Sequence, residues 1–264
     1  MLTVSFFLFV AVSTFLAFRD WRQGLLLILF IGSLQDPVRK IMPGAPGWMV
    51  LAFTPVLLAV LANVFLGHPQ TWRRFQQAMP SLRQAIAFFA SSLLLAFLVL
   101  LFNYGMGAWI VGTIGLIGYL FPLLAIALGY FYVRTSEDLI RFMKVYCLLT
   151  AVFLVGGLLE YWNVFPASPI IGTDVLDMYW IRNVPGYIVE LKSGFYRSPD
   201  MLGWHAALLV MFSLLMGLSS KDVIARGLWV TLTAWGVAIL LISGRNKMIF
   251  MPPIFISCVG LAYF

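Results

Sequence analysis

Apolar runs long enough to cross a bilayer follow one another along almost the whole chain, and no other feature leaves so few folds open. About 20 apolar residues in a helix match the hydrocarbon thickness of a membrane, and only helices or closed barrels satisfy their backbone polar groups there. Such runs occupy residues 2–18, 48–67, 85–102, 108–132, 145–160, 201–218, 228–242 and 248–264, with a shorter one at 24–34. The expected fold is therefore all-α: a polytopic transmembrane helix bundle, a single domain of about nine spans. Composition agrees, because 62% hydrophobic and 10% charged residues leave too little polar surface for a soluble domain of 264 residues.

The polar punctuation divides the spans. Arg19 and Arg22 follow the first run and no cation precedes it, the reverse of the charge order in a cleaved signal peptide. The 24–34 run is short for a crossing, so it either spans with its flanking arginines reaching to the interface or re-enters the same side. Gln35 to Lys40 and the Pro- and Gly-bearing stretch Met42 to Gly47 read as a loop. Trp72, Phe75, Met79 and Leu82 recur at helical steps among arginines and glutamines, which predicts an amphipathic surface helix bent or ended at Pro80. Thr135 or Ser136 ahead of Glu137 and Asp138 predicts a capped helix start. Residues 161–200 form one long external loop, and Pro252-Pro253 predicts a kink or an interruption in the last run.

Charge then orients the chain. With the first terminus outside and all runs crossing, ten of the 17 Lys and Arg residues fall on the inner side. The net charge of +7 is scattered through short loops, and so it does not point to nucleic acid. Cys147 and Cys258 lie inside apolar runs, where thiols are packing residues rather than metal ligands.

The cations left outside need a reason. Arg197 and Arg245 sit at opposite ends of two consecutive spans, so both ends face one compartment, with Lys247 and Arg39 as further candidates. A guanidinium is planar, permanently charged and suited to bidentate capture of phosphate oxygens, such as those of a lipid-linked diphosphate. Asp200 and His205 stand beside Arg197 as candidate bases. Each residue also has a plainer reading: arginines at span ends as interface anchors, Asp200 as a helix cap, His205 as a hydrogen-bonded packing residue. Asp174, Asp177 and Glu190 read as solvated loop charges. Trp48, Tyr161, Trp162 and Trp204 read as an interfacial aromatic belt.

The segments Gly194-Phe195-Tyr196-Arg197-Ser198-Pro199-Asp200-Met201-Leu202-Gly203-Trp204-His205 and Leu241-Ile242-Ser243-Gly244-Arg245-Asn246-Lys247 resemble the two arginine-bearing motifs of the O-antigen ligase and O-antigen (exopolysaccharide) polymerase superfamily. That resemblance implies a multi-pass protein of the bacterial inner membrane. It implies a glycan carried on undecaprenyl diphosphate as partner, together with membrane lipid and other polysaccharide biosynthesis or export proteins. The implied reaction is a metal-independent glycosyl transfer on the periplasmic face that needs no cofactor. Arg197 and Arg245, with Lys247 and Arg39 in support, would bind the substrate diphosphate, and Asp200 or His205 would take the acceptor proton. Family members generally carry a small polar and asparagine pattern after the first arginine, where this chain has Asp200 and Gly203-Trp204-His205. They also usually continue through several further spans, so the expectation is a truncated, N-terminal part of a longer family fold. The competing readings are a polysaccharide or lipid transporter or flippase, which calls for ionisable groups or unwound helix near mid-bilayer, and a non-catalytic membrane scaffold.

Overall fold

The computed structural model describes residues 2–67, 69–166, 168–173 and 178–263. Asp174 and Asp177 lie outside the described residues. The chain is 79% helical and divides into two compact units, Met1–Val60 with Ile140–Phe264, and Leu61–Leu139. Its helices in order are α1 (Leu2–Arg19), α2 (Trp21–Ile41), α3 (Thr54–Gly67), α4 (Pro69–Ala78), α5 (Pro80–Tyr104), α6 (Trp109–Tyr132), α7 (Ser136–Phe153), α8 (Val155–Tyr161), α9 (Pro199–Ser219), α10 (Val223–Ile242), α11 (Asn246–Ile249) and α12 (Met251–Tyr263). Seven helical segments among the described residues are long and apolar enough to cross a membrane. The chain is a multi-pass membrane protein. The other two expected spans correspond to α2 and to the shorter apolar stretch Asn246–Leu261.

The smaller unit follows its sequence closely. Phe75 of α4 is buried and meets Tyr130 and Phe131 of α6 edge-on, at ring separations of 5.3 and 5.9 Å. Pro80 takes the first position of α5, where its missing N–H has no partner to lose, so it starts a new helix after α4. Ahead of α7 the predicted cap is reciprocal. Thr135 Oγ1 accepts the Asp138 N–H at 3.3 Å, while Asp138 Oδ2 accepts the N–H groups of Arg134 and Thr135 at 3.0 and 3.3 Å.

The larger unit is built on the antiparallel pair α9 and α10. Its core gathers Leu202, Ala206, Leu209, Trp229, Ile239 and Leu240, with Cys147 of α7 and Leu154 between α7 and α8. Helices in lipid gain nothing from excluding water from one another, so small residues and polar contacts decide which faces meet. At Gly236 a Cβ would stand 2.9 Å from Val210 Cγ2 and 3.3 Å from the Ala206 carbonyl, so glycine is what lets the two backbones approach. Farther along the same seam the Ser213 and Thr233 hydroxyls share a 2.8 Å hydrogen bond. Trp235 ties α10 to α7 by donating from Nε1 to the Ala151 carbonyl at 3.1 Å.

One expectation changes, one holds and one is extended. The predicted loop over Gln35 to Lys40 is helical: α2 runs unbroken to Ile41 with Pro37 inside it. Proline removes one backbone donor there, close to the helix end, and the Asp36 and Lys40 side chains anchor that stretch to residues 194–197. The last run is interrupted beside Pro252-Pro253, as expected. It breaks before them at Phe250, and the prolines occupy the first turn of α12, where helices accept them. The long segment between α8 and α9, expected as a loop over 161–200, also contains a hairpin. Strands β1 (Ile181–Val184) and β2 (Tyr187–Glu190) pair antiparallel, Val184 opposite Tyr187 and Ile181 opposite Glu190.

Candidate functional site

The site begins with a short backbone strap, residues 193–198, that delivers the chain from the hairpin to α9. Gly194 sits at φ +60°, a left-handed conformation that glycine adopts freely. A Cβ there would lie 2.5 Å from the Gly157 nitrogen and 2.7 Å from the Gly156 carbonyl carbon. Glycine therefore lets the strap press against the start of α8.

Three buried or half-buried charges hold this strap by its main chain. Glu160 Oε2, at the end of α8, accepts the N–H groups of Ser193 and Gly194 at 2.8 and 2.6 Å. Lys40 Nζ donates to the Gly194 and Tyr196 carbonyls at 2.9 and 2.7 Å. Asp36 Oδ2 accepts the Arg197 N–H at 3.1 Å. Asp36 and Lys40 are only 3% and 2% exposed, one helical turn apart on α2. Burial draws the Lys40 ammonium down to about 8, against the opposing pull of Asp36 and Glu160. It raises the Asp36 carboxyl above its ordinary range despite the nearby Arg197 cation. None of these three roles was evident from the sequence. Their acceptors and donors are main-chain groups, which every residue type carries.

Arg197 leaves the strap half-buried. Its guanidinium makes no hydrogen bond or ion pair with any described residue. The plain cap reading of Asp200 does not hold: Ser198 caps α9, its hydroxyl accepting the Met201 N–H at 3.4 Å. Asp200 instead pairs with two cations that follow α10, Nη2 of Arg245 at the cap of α11 with Oδ2 and Nζ of Lys247 within α11 with Oδ1, both at 2.8 Å. Arg245 also lies over the Trp180 ring at 5.0 Å, a cation–π contact. Arg182 of β1 bonds to the Gly244 carbonyl and the Asn246 side chain, tying the hairpin to the same stretch. The Asp200–Arg245 pair thus joins the segments that carry Arg197 and Arg245 at one end of α9 and α10.

His205 is one turn deeper. Its ring stacks on Tyr196 at 4.8 Å with an interplanar angle of 16°, and Nδ1 shares a 2.7 Å hydrogen bond with the Tyr146 hydroxyl. Tyr196 is 2% exposed, and burial pushes its phenol well above the usual range, so it stays neutral. Arg39 is committed elsewhere, donating from Nε to the Ala45 carbonyl at 2.9 Å and closing the turn after α2.

No family model, curated protein or solved structure matches the chain. Its chemistry therefore has to be argued from the site itself. Beside the cluster a cavity of about 790 Å³ opens between the end of α8 and the hairpin, lined by Glu160, Tyr161, Phe165, Tyr179, Trp180 and Lys192 among others. Trp180 belongs to both, with Arg245 over its ring and the cavity beside it. Among the described residues no three His, Cys, Asp or Glu side chains are grouped to hold a metal. The arrangement offers a guanidinium unpaired among the described residues, a second guanidinium and an ammonium bridged by one carboxylate, and an aromatic cavity beside the second guanidinium.

Proposed function

We propose that the protein is a bacterial inner-membrane glycan polymerase or ligase of the O-antigen type, transferring a glycan from undecaprenyl diphosphate to an acceptor hydroxyl on the periplasmic face. The observation that carries this reading is the Arg197 guanidinium, unpaired among the described residues and three residues from the Asp200–Arg245–Lys247 cluster at the same end of α9 and α10. A half-buried guanidinium with its donors unspent is suited to an anion, and a planar fork matches two phosphate oxygens. The two arginine-bearing segments that resemble the family motifs meet at this end, consistent with a single site.

In this reaction the acceptor oxygen attacks the anomeric carbon, the new carbon–oxygen bond forms, and the bond to the diphosphate oxygen breaks. The diphosphate leaves with the bonding pair. Arg197, Arg245 and Lys247 offset the charge that builds on it. The acceptor proton passes to a carboxylate or imidazole, for which Asp200 and His205 are the candidates. The neighbouring aromatic cavity suits sugar rings, whose apolar faces stack on tyrosine and tryptophan while carboxylate and ammonium groups take the hydroxyls.

The test is glycan output in a bacterial host, read on gels at matched protein level. Arg197→Ala and Arg245→Ala should each abolish polymer or ligated glycan. Lysine at either position should rescue poorly, because a point charge cannot replace the fork. Normal output from both alanine variants rules the assignment out.

A further inference from the structure

Asp36 and Lys40 present a physical puzzle. Removing an ion from water costs several kcal/mol even after relaxation, and both residues are almost wholly buried on one helical turn. Their charges are not spent on each other's side chains alone. Lys40 is committed to two carbonyls of the strap, and Asp36 to one backbone N–H, leaving Asp36 Oδ1 buried without a hydrogen-bond partner. Neutral side chains could tie down a loop at less cost.

The difference between the two arginines suggests what the buried charges achieve. Arg245 meets its carboxylate through the guanidinium itself, so Asp200 occupies donors that a ligand would otherwise use. Arg197 meets its carboxylate through the backbone. Asp36 grips the N–H of that same residue and lowers the cost of the nearby cation through space, while the guanidinium makes no hydrogen bond or ion pair with any described residue. Lys40 fixes the carbonyls of Gly194 and Tyr196, on the two sides of Phe195, and Glu160 fixes the amides of Ser193 and Gly194. The main chain leading into Arg197 is thereby held from α2 and from α8.

We infer that Asp36 and Lys40 are positioning residues for Arg197: by holding its main chain from α2, they fix where the guanidinium stands and keep its donors free for a diphosphate. The diphosphate half of this statement rests on the reading above; the positioning half does not. Neither residue touches the ligand, and their effect passes entirely through Arg197.

The experiment uses the full chain in lipid nanodiscs with farnesyl diphosphate as probe. Asp36→Ala should weaken probe binding about tenfold, the loss expected for a backbone hydrogen bond to a charged acceptor. Asp36→Asn retains a carbonyl oxygen for the same N–H but loses the charge beside the Arg197 cation, and should fall between Asp36→Ala and wild type. In an Arg197→Ala background, Asp36→Ala should add nothing, because a residue acting through another loses its effect when that other is gone. A full additional loss in that background overturns the inference.

A second arm needs no ligand. Amide exchange over residues 194–198 and the rate of phenylglyoxal modification at Arg197 should both rise in Asp36→Ala and in Lys40→Met, with Arg245 modification unchanged. Unaltered exchange and reactivity at Arg197 would sink the positioning claim whatever the probe does. A wild-type protein that ignores farnesyl diphosphate, yet shows these changes, would discard the diphosphate reading and leave the positioning role standing.

Discussion

Arg245 Nη2 lies 2.8 Å from Asp200 Oδ2, an ion pair that joins the first turn of α9 to the turn following α10. Both side chains are about three-quarters buried, at 24% and 27% exposure, so water screens the pair only partly. Lys247 reaches the same carboxylate, which leaves the trio with one net positive charge. Asp200→Asn should therefore cost stability through two broken pairs, about 1–2 kcal/mol. It should also free two cations, so that farnesyl diphosphate binds more tightly even as glycan transfer falls. Thermal unfolding in detergent and a binding titration on the same preparation check both signs.

Gly194 should prove among the least replaceable positions in the strap. A Cβ there meets the backbone of Gly156 and Gly157 rather than a movable side chain end, and φ +60° adds a conformational cost of about 1 kcal/mol. Gly186, at φ +93° with nothing near its missing Cβ, is the matched control. Gly194→Ala should lower the unfolding temperature well beyond Gly186→Ala. Equal shifts would mean that the strap does not press on α8.

Lys40 makes stability depend on pH in a defined window. Its folded value of about 8 lies below the ordinary lysine value near 10.4. Between the two, the unfolded chain binds more protons than the folded one, so this group's contribution to stability rises as pH increases through that window. The charged groups acting on it are Asp36, Glu160 and Arg39, and burial outweighs the two carboxylates. The stability difference between wild type and the non-titrating Lys40→Met should shift in favour of wild type by about 1–3 kcal/mol from pH 7.5 to 10. A flat difference across that range would place the ammonium in water. Asp36 acts at the acid end with the opposite slope: its raised value makes the folded chain bind more protons than the unfolded one just above the ordinary carboxyl range, so its contribution falls there as pH rises.

The Tyr146 and His205 contact should be read most clearly by conservative changes. Tyr146→Phe keeps the ring and deletes the partner of Nδ1, at an expected cost of about 1 kcal/mol. His205→Phe keeps the stack on Tyr196 and removes the imidazole. If His205 takes the acceptor proton, His205→Phe abolishes glycan transfer while the protein still folds. Transfer that survives in His205→Phe and fails in Asp200→Asn would give the proton to Asp200.

The spans were legible because lipid demands long uninterrupted apolar segments, and α1, α3, α5, α6, α9 and α10 announce themselves that way. The cap of α7 was legible because it uses local side chains in a fixed order. What escaped was held by distant partners. Pro37 and the charges around it read as loop because nothing local shows that Asp36 and Lys40 will meet residues some 150 positions later. The hairpin was hidden for a related reason: Pro185, the aromatics and the scattered charges obscure an alternation only four residues long in each strand. At the site, the arginines stood out as side chains, whereas the carbonyls and amides that place Arg197 have no letter in a sequence.

The α9–α10 pair is fastened at two levels, by the Ser213–Thr233 hydroxyl contact within the seam and by the Asp200–Arg245 bond at its rim. Sliding one rod past the other by a single turn would undo both pins together. The mouth of the site is thus mounted on a bracket that resists shear.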